Sequence, residues 1–132
     1  MSDYTITARE QATDYMAEFP SYGEMRAYAG ALDAEQIALT WRQMPPGTGG
    51  RGSYGHRHVT QEEIYFVISG TVTFKVGDDV FEAGPGTAVR IAATALRSVH
   101  NDGETDARLV ICSKRTDDLA AETEREDGFW PE

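Results

Sequence analysis

The sequence predicts an all-β domain built as an antiparallel sandwich or barrel. From residue 35 to residue 113 the chain is a series of short runs rich in valine, isoleucine, threonine and aromatic residues. Glycine, proline, asparagine and aspartate separate these runs at short intervals, as in the turns between antiparallel strands. The chain has 132 residues, of which 40% are hydrophobic and 26% charged, and this is enough for one globular domain with a single core.

The strands follow one another from residue 35 onward. Residues 35–44 alternate, with Ile37, Leu39 and Trp41 on one face and more polar side chains on the other, so this segment is predicted to be a half-buried strand with its apolar face inward. The proline- and glycine-rich segment 45–55 interrupts the pattern. Further strands are predicted at 63–69, 71–76, 80–83, 88–92, 96–101 and 107–113.

The two ends of the chain differ from this central barrel, which we place at residues 25–113. Residues 1–24 are predicted to be an extension that forms a short helix or lies extended over the core, held by aromatic and methionine side chains. Residues 114–132 form a tail with one or two helical turns at 117–123 and a solvated run of charges at 122–127. Phe129 and Trp130 near its end are expected to pack on the body of the protein or on a partner subunit.

Charge and cysteine content exclude several classes of function. The formal net charge is −10, from 22 acidic and 12 basic residues, and so acidic a surface repels nucleic acid and anionic membranes. No apolar run approaches the ~20 residues of a membrane span, and the N-terminus lacks the layout of a signal peptide. Cys112 is the only cysteine, lies in an apolar run, and is expected to be a buried thiol. We therefore expect a cytoplasmic protein without nucleic-acid or membrane partners.

The segment around residue 60 contains the candidate metal-binding residues. His56 and His58 are two residues apart, so on one strand both imidazoles point to the same side. Glu63 opens the following strand and can reach the same point. Two histidines and one carboxylate suit Fe(II), Mn(II), Ni(II), Cu(II) or Zn(II), and they leave positions open for water or substrate.

These residues resemble the first motif of the cupin family, a group of small antiparallel jelly-roll barrels. That motif reads G, five residues, H-x-H, three or four residues, E, six residues, G, and here it is Gly50, His56, His58, Glu63 and Gly70. The spacing selects Glu63 over its neighbour Glu62, because only Glu63 lies seven residues before Gly70. The resemblance implies a cupin barrel whose metal ligands are His56, His58 and Glu63.

The second cupin motif is only partly present. Gly86 and Asn101 fit the pattern, whereas Arg97 stands where the last metal-binding histidine belongs. Arginine does not ligate metals. Arg97 is therefore predicted either to pair with Glu63 without a metal, or to hold an anionic substrate beside the metal. His100 has the opposite parity on its strand and is expected to face outward, unless a β-bulge brings it inward.

Three hypotheses about function follow from this resemblance. The first is a small-molecule metalloenzyme, since cupins include dioxygenases, isomerases, decarboxylases and lyases. The second is a metal-free barrel that binds a sugar or an organic acid without catalysis. In either case Arg97, Tyr54, Tyr65 and Trp41 are the predicted ligand-binding residues. The third is an interaction role as a homodimer, with the N-terminal segment and the C-terminal residues 129–132 forming the interface, and it is compatible with both others.

Overall fold

The computed structural model describes residues 3–132 and consists of eleven strands and two short helices. Two 3₁₀ turns, Arg9–Gln11 and Pro20–Tyr22, lie in the N-terminal segment. In chain order the elements are β1 (Thr13–Asp14), β2 (Glu24–Ala27), α1 (Ala29–Leu32), β3 (Ile37–Met44), β4 (Ser53–His58), β5 (Glu63–Ser69), β6 (Val72–Val76), β7 (Asp79–Ala83), β8 (Ala88–Ile91), β9 (Arg97–His100), β10 (Ala107–Lys114), α2 (Leu119–Glu122) and β11 (Thr123–Trp130).

The strands form two antiparallel sheets whose inner faces share one core. The six-stranded sheet has the order β1-β2-β3-β10-β5-β8, and the five-stranded sheet has the order β11-β4-β9-β6-β7. The all-β jelly-roll architecture predicted from the sequence is confirmed, although no strand pairing within residues 3–132 closes the two sheets on each other. The core draws apolar side chains from both sheets: Met44, Tyr65, Val67, Val72, Phe74, Ala83, Ile91, Ala107 and Leu109.

The glycine that ends the motif after β5 is required by the backbone. Gly70 has φ 75°, a left-handed conformation that residues with a side chain rarely adopt. A Cβ atom at this position would lie 2.5 Å from the carbonyl oxygen of Asp106. The chain therefore turns from β5 into β6 at the one residue type that fits.

The face of β3 predicted to be buried is exposed, which corrects the reading of the apolar alternation. Ile37 is 60% exposed and Leu39 is 37% exposed, whereas Arg42 and Met44 on the other face are buried. Trp41 shares the outer face, where the guanidinium of Arg9 lies over its ring. The predicted alternation is present, but the prediction of which face is buried is wrong. The face that carries Arg42 and Met44 points into the fold, and the face that carries Ile37 and Leu39 points out.

The N-terminal segment joins the six-stranded sheet instead of lying apart from it. β1 pairs with β2, and β2 pairs with β3 over the whole of Glu24–Ala27. Asp14 fixes this hairpin, since its Oδ1 accepts the backbone N–H groups of Met16 (2.9 Å) and Met25 (3.0 Å). The aromatic residues between the two strands are thereby held over one end of the barrel.

The C-terminal tail contributes an edge strand to the five-stranded sheet. α2 lies within the region where a helical turn was predicted, and β11 pairs with β4 from Thr123 to Trp130 with a shift of register after Glu126. The charge run hides this strand from sequence reasoning because its residues from Glu124 to Gly128 are all exposed. Charged edge strands are a common protection against pairing with other chains.

Trp130 at the end of β11 packs on the body of the protein. It is 3% exposed, its ring lies edge-on to His100, and the guanidinium of Arg51 stacks over it at 4.7 Å. Cys112, expected to be buried, is partly exposed because it lies on the outer face of β10. Within residues 3–132, no helix has both the length and the apolar character to cross a membrane.

Candidate metal centre and ligand cavity

His56, His58 and Glu63 meet at one point between the two sheets. His56 and His58 lie on β4 at alternate positions, and Glu63 is the first residue of β5. One ligand atom from each residue lies within 4.8 Å of the other two. The imidazole rings are 5.0 Å apart and nearly perpendicular. The strand period thus brings the three sequence-predicted metal ligands together.

The two neighbouring glutamates have different environments. The Glu62 side chain is exposed and forms an ion pair with Arg90 on the surface. The Glu63 side chain is only 12% exposed and points to the two histidines. The alternation of side chains along a strand separates the two carboxylates, in the direction that the motif spacing indicated.

Arg97 lies beside this cluster and pairs with Glu63. It is the cross-strand partner of His56 and is completely buried. Its Nη2 donates to Glu63 Oε1 at 2.8 Å. Its Nη1 is surrounded by three backbone carbonyl oxygens, those of Ala92, Ala93 and Ala95, at 2.8 to 3.2 Å. Arg97 therefore occupies the place of the missing motif histidine and adds a fixed positive charge next to Glu63.

The contacts of Glu63 are concentrated on one of its two oxygens. Tyr65 donates its hydroxyl to Oε1 at 2.9 Å, and Arg97 donates to the same atom. His58 Nε2 lies 3.6 Å from Oε1, is buried, and has no hydrogen-bond partner in the described part of the chain. On its other side, His58 Nδ1 is 3.3 Å from the Thr123 hydroxyl. The Nε2 atom of His58 is therefore buried without a hydrogen bond within residues 3–132, while the contact of Nδ1 with Thr123 orients the ring.

The charges in the cluster are set by burial and by Arg97. Burial opposes ionisation of Glu63, but the close imidazole of His58 and the hydrogen bond and charge of Arg97 outweigh it and lower its pKa to about 2. Burial, followed by the charge of Arg97, lowers the pKa of His56 to about 4. Burial and the charge of Glu63 raise the pKa of Tyr65. At neutral pH Glu63 is thus ionised and His56 is neutral, the forms in which both bind metals.

A cavity of about 680 Å³ adjoins the cluster through His56, the one candidate ligand that lines it. His56, Tyr54 and Tyr65 line it, and the guanidinium of Arg125 lies 3.8 Å from the centroid of the Tyr54 ring. The N-terminal hairpin supplies the opposite wall, and its contributing side chains are Tyr15, Met16, Phe19, Tyr22 and Met25. The volume suits a small organic molecule.

The predicted ligand-binding residues are distributed over three places. Tyr54 and Tyr65 line the cavity. Arg97 lies below it, bound to Glu63 and to backbone carbonyls. Trp41 is on the outer face of the six-stranded sheet, away from the cavity. His100 is outside the metal cluster, but the expectation that it faces outward is wrong: it is 8% exposed, lines the cavity, and its Nδ1 accepts the backbone N–H of Arg51.

Sequence reasoning did not identify two contributions to the cavity. The first is the aromatic wall of the N-terminal hairpin, whose residues were read as anchors on the core. The second is Arg42, which lines the cavity from β3. Its signal was the strand alternation itself, which places Arg42 opposite to Ile37 and Leu39, but the polar face was assigned to solvent.

The donor set fits a divalent transition metal. Two imidazoles and an ionised carboxylate are ligands that first-row divalent metals accept. An ion at this point would satisfy the buried Nε2 of His58, and Glu63 Oε2 makes no hydrogen bond within residues 3–132. The charge of Arg97 opposes a nearby dication, so the residues fit the group with one unfavourable neighbour.

Comparisons with known proteins agree with this architecture. The sequence profile of the family described as Cupin domain matches residues 41–113, more than half of the chain. An uncharacterized protein of Methanocaldococcus jannaschii is 28% identical over 58 residues, or 44% of this chain. The matched region spans 46% of that relative's own length.

Two solved structures illustrate the similarity of the fold. A cupin protein from Bacteroides fragilis superposes with a TM-score of 0.69 at 18% identity and covers 90% of each chain. The polyketide cyclase RemF from Streptomyces resistomycificus gives a TM-score of 0.70 at 17% identity, covering 95% of this chain and 85% of that one. At such identities the likeness extends to the fold alone.

Proposed function

This chain belongs to the cupin domain family, and on that premise we propose that it binds one divalent metal ion together with a small molecule in the barrel cavity. The proposed activity is small-molecule chemistry of the oxygenase or isomerase kind. The observation that carries the proposal is the convergence of His56, His58 and Glu63, with the buried His58 Nε2 atom 3.6 Å from Glu63 Oε1 and without a hydrogen bond within residues 3–132. Such an atom is costly to leave unsatisfied, and a metal ion removes the cost.

The roles of the residues follow from their contacts. His56, His58 and Glu63 hold the ion. Arg97 and Tyr65 keep the Glu63 carboxylate ionised and oriented through its Oε1 atom. When bound, the metal supplies a Lewis acid that polarises a substrate oxygen, or a site that binds O₂. The cavity beside His56 receives the small molecule.

A metal-free binding protein is the second candidate, and the contact between Arg97 and Glu63 favours it. The guanidinium of Arg97 lies 2.8 Å from Glu63 and compensates its negative charge, as a metal ion would in its absence. In this alternative the histidines and Tyr65 act as hydrogen-bonding groups for a sugar or an organic acid. The two candidates differ in metal content and not in the shape of the site.

Elemental analysis of untagged protein distinguishes the candidates. We expect about one metal ion per chain in the wild type, and loss of that metal in Glu63→Gln and His56→Ala. Glu62→Gln is the matched control, because it changes the adjacent carboxylate on the exposed side of the strand. Metal-free wild type together with metal uptake by Arg97→His would overturn the first candidate and support the second.

We also propose that the chain forms a homodimer through the outer face of its six-stranded sheet. Ile64, Phe66 and Ile68 of β5 and Leu39 of β3 are large apolar side chains exposed on this face. β10 lies between the two strands, so the apolar side chains form one surface. Contiguous exposed apolar surface marks interaction sites, and a second copy presents the same surface in return. This surface replaces the chain termini as the proposed interface, since Trp130 packs on its own subunit.

Sedimentation analysis at micromolar concentration tests the dimer. Phe66→Lys is expected to give a monomer with unchanged secondary structure, because it places a charge in the centre of the apolar face. Val80→Lys is the matched control, an exposed apolar residue on the other sheet. A monomeric wild type, or a Phe66→Lys variant that still dimerises, would contradict the proposal.

A further inference from the structure

Arg42 is a buried cation at the wall of the cavity. It lies on the inner face of β3, between its cross-strand neighbours Met25 and Leu109. Its residue is 8% exposed, and it lines the same cavity as His56 and Tyr65. An arginine this deeply buried in a single-domain barrel needs a compensating group.

The described part of the chain offers Arg42 no such group. Its Nη1 is buried without a hydrogen-bond partner, and within residues 3–132 no carboxylate oxygen lies within 4.0 Å of its guanidinium. Asp14 is the carboxylate whose charge acts on it, but Asp14 Oδ1 is engaged by the backbone N–H groups of Met16 and Met25. Burial lowers the pKa of Arg42, as expected for a cation without a counter-ion.

The contrast with Arg97 shows what is missing. Both arginines are buried, but Arg97 has Glu63 and three backbone carbonyls around its guanidinium. Arg51, which also lines the cavity, is paired with Asp102. Arg42 is thus a cavity cation that no carboxylate of residues 3–132 contacts directly. In a chain with a net charge of −10, a locally positive wall is a specific feature.

The other side chains that line the cavity indicate that the uncharged part of the ligand is flat and apolar. Tyr15, Phe19 and Tyr22 line it and are each more than half exposed, so their rings are available for contact. Met16 and Met25 add apolar, adaptable surface to the same wall. Exposed aromatic rings around a cavity bind flat apolar groups and bury surface when they do so.

We propose that Arg42 binds the carboxylate of a small organic acid whose ring-sized apolar body lies against the aromatic wall of the N-terminal hairpin. The planar guanidinium fork matches a carboxylate with two parallel hydrogen bonds. The acid then lies beside His56, above the candidate metal centre. This inference deepens the proposed function by naming its substrate class, and the Arg42 site itself does not require the metal.

Calorimetric titration with benzoate and benzamide tests the proposal. The two probes have the same ring and differ in charge. We expect benzoate to bind wild-type protein, and Arg42→Gln to weaken it about 10- to 100-fold, the range for a hydrogen-bonded charge pair. Benzamide is expected to bind weakly and to be indifferent to Arg42→Gln. Arg51→Gln is the matched control and should retain benzoate affinity within about twofold, because Arg51 already has a carboxylate partner.

Each alternative outcome has a definite meaning. Benzoate binding that is undetectable at about 10 mM, or equal in wild type and Arg42→Gln, overturns the proposal. An equal loss of benzoate affinity in Arg51→Gln also overturns it. The anion would then be attracted by the overall positive potential of the cavity and not by a direct contact with Arg42. Inorganic phosphate that binds more tightly than benzoate contradicts the assignment of an apolar body.

Two further measurements separate this inference from misfolding and from the metal proposal. Arg42→Gln removes an uncompensated buried charge, so its thermal midpoint without ligand should be equal to or above that of wild type. A lower midpoint would show that Arg42 serves the fold, and would overturn the ligand role. The titrations are repeated on protein treated with chelator and then desalted. Benzoate binding that survives metal removal supports the Arg42 site, whereas metal content decides the other proposal by itself.

Discussion

The pair formed by Arg97 and Glu63 gives the most quantitative test of the site. Arg97→Met removes the charge of a completely buried arginine and keeps a long apolar side chain in its place. Glu63 then loses its counter-charge but keeps the Tyr65 hydroxyl. The Ala95 carbonyl loses the guanidinium donor, whereas the carbonyls of Ala92 and Ala93 keep the backbone N–H groups of Ala95 and His58. The variant therefore leaves a buried carboxylate without its cation.

The size of the effect follows from the pKa of Glu63. Its ordinary value is 4.5 and its value in the fold is about 2, a difference of about 2.5 (4.5 − 2). At about 1.4 kcal/mol for each pKa unit, the ionised carboxylate stabilises the fold by about 3 kcal/mol at neutral pH. Removing one partner of a buried ion pair costs about 3–5 kcal/mol, which is the same order. Because His58 also contributes to the lowered pKa and remains in the variant, we expect Arg97→Met to lose up to about 3 kcal/mol.

The pH dependence of stability is expected to differ between the two proteins. Because the pKa of Glu63 is lowered in the folded wild type, its contribution is fully present above pH 4.5 and is lost as the pH falls toward about 2. In Arg97→Met the charge and hydrogen bond of Arg97 are gone, so burial is opposed only by His58 and the Tyr65 hydroxyl, and protonation of Glu63 costs less than in the wild type. The difference between the two proteins should consequently shrink as the pH falls from 7 to 4.

Urea denaturation of metal-stripped protein measures these differences, with Glu63→Gln and the double variant completing a thermodynamic cycle. We expect a coupling free energy of at least about 2 kcal/mol between the two positions at pH 7. An Arg97→Met variant within about 1 kcal/mol of wild type, with a coupling near zero, would refute the view that Arg97 compensates Glu63.

Three further predictions concern the parts of the fold that frame the cavity. Trp130→Ala should destabilise the protein by about 3–5 kcal/mol in urea, because it removes a side chain that is 97% buried; a loss below about 1 kcal/mol would show that β11 is dispensable. Asp14→Ala should lose about 1–3 kcal/mol, since the N–H groups of Met16 and Met25 lose their acceptor, and hydrogen exchange at these two amides should accelerate. Unchanged exchange there would contradict the role of Asp14. Labelling of Cys112 with a thiol reagent should slow as protein concentration rises through the dimerisation range, because Cys112 lies on the proposed dimer face; a rate independent of concentration would place the interface elsewhere.

Much of the barrel could be read from the sequence because its strands alternate with strong turn signals. The strand predicted at 63–69 has the observed bounds, and the others from 71 to 113 are displaced by one residue at most at either end. The metal ligands were equally accessible, since two residues on one strand and the first residue of the next need only a period of two and a short connection to meet. Local patterns of this kind do not depend on the rest of the chain.

β11 and the N-terminal hairpin could not be predicted from the sequence in the same way. An edge strand whose outer residues are all charged has no apolar period, and only its pairing with β4 identifies it. Tyr15, Phe19 and Tyr22 are apolar, which by itself suggests burial, yet they line a cavity and remain exposed. Pairing partners and cavities are made by residues distant in the chain, so no local pattern contains them.

By itself the sequence determined an all-β cupin barrel, a His–His–Glu set on two strands, and the presence of an arginine at position 97. Only the tertiary structure decided that Arg97 pairs with Glu63, and that β3 turns its apolar side chains outward and Arg42 into the cavity. The alternation of a strand fixes which residues share a face, whereas the direction of that face depends on what the neighbouring sheet and the N-terminal hairpin enclose. Here they enclose a cavity, and a cavity wall can hold a charge that a packed core would exclude.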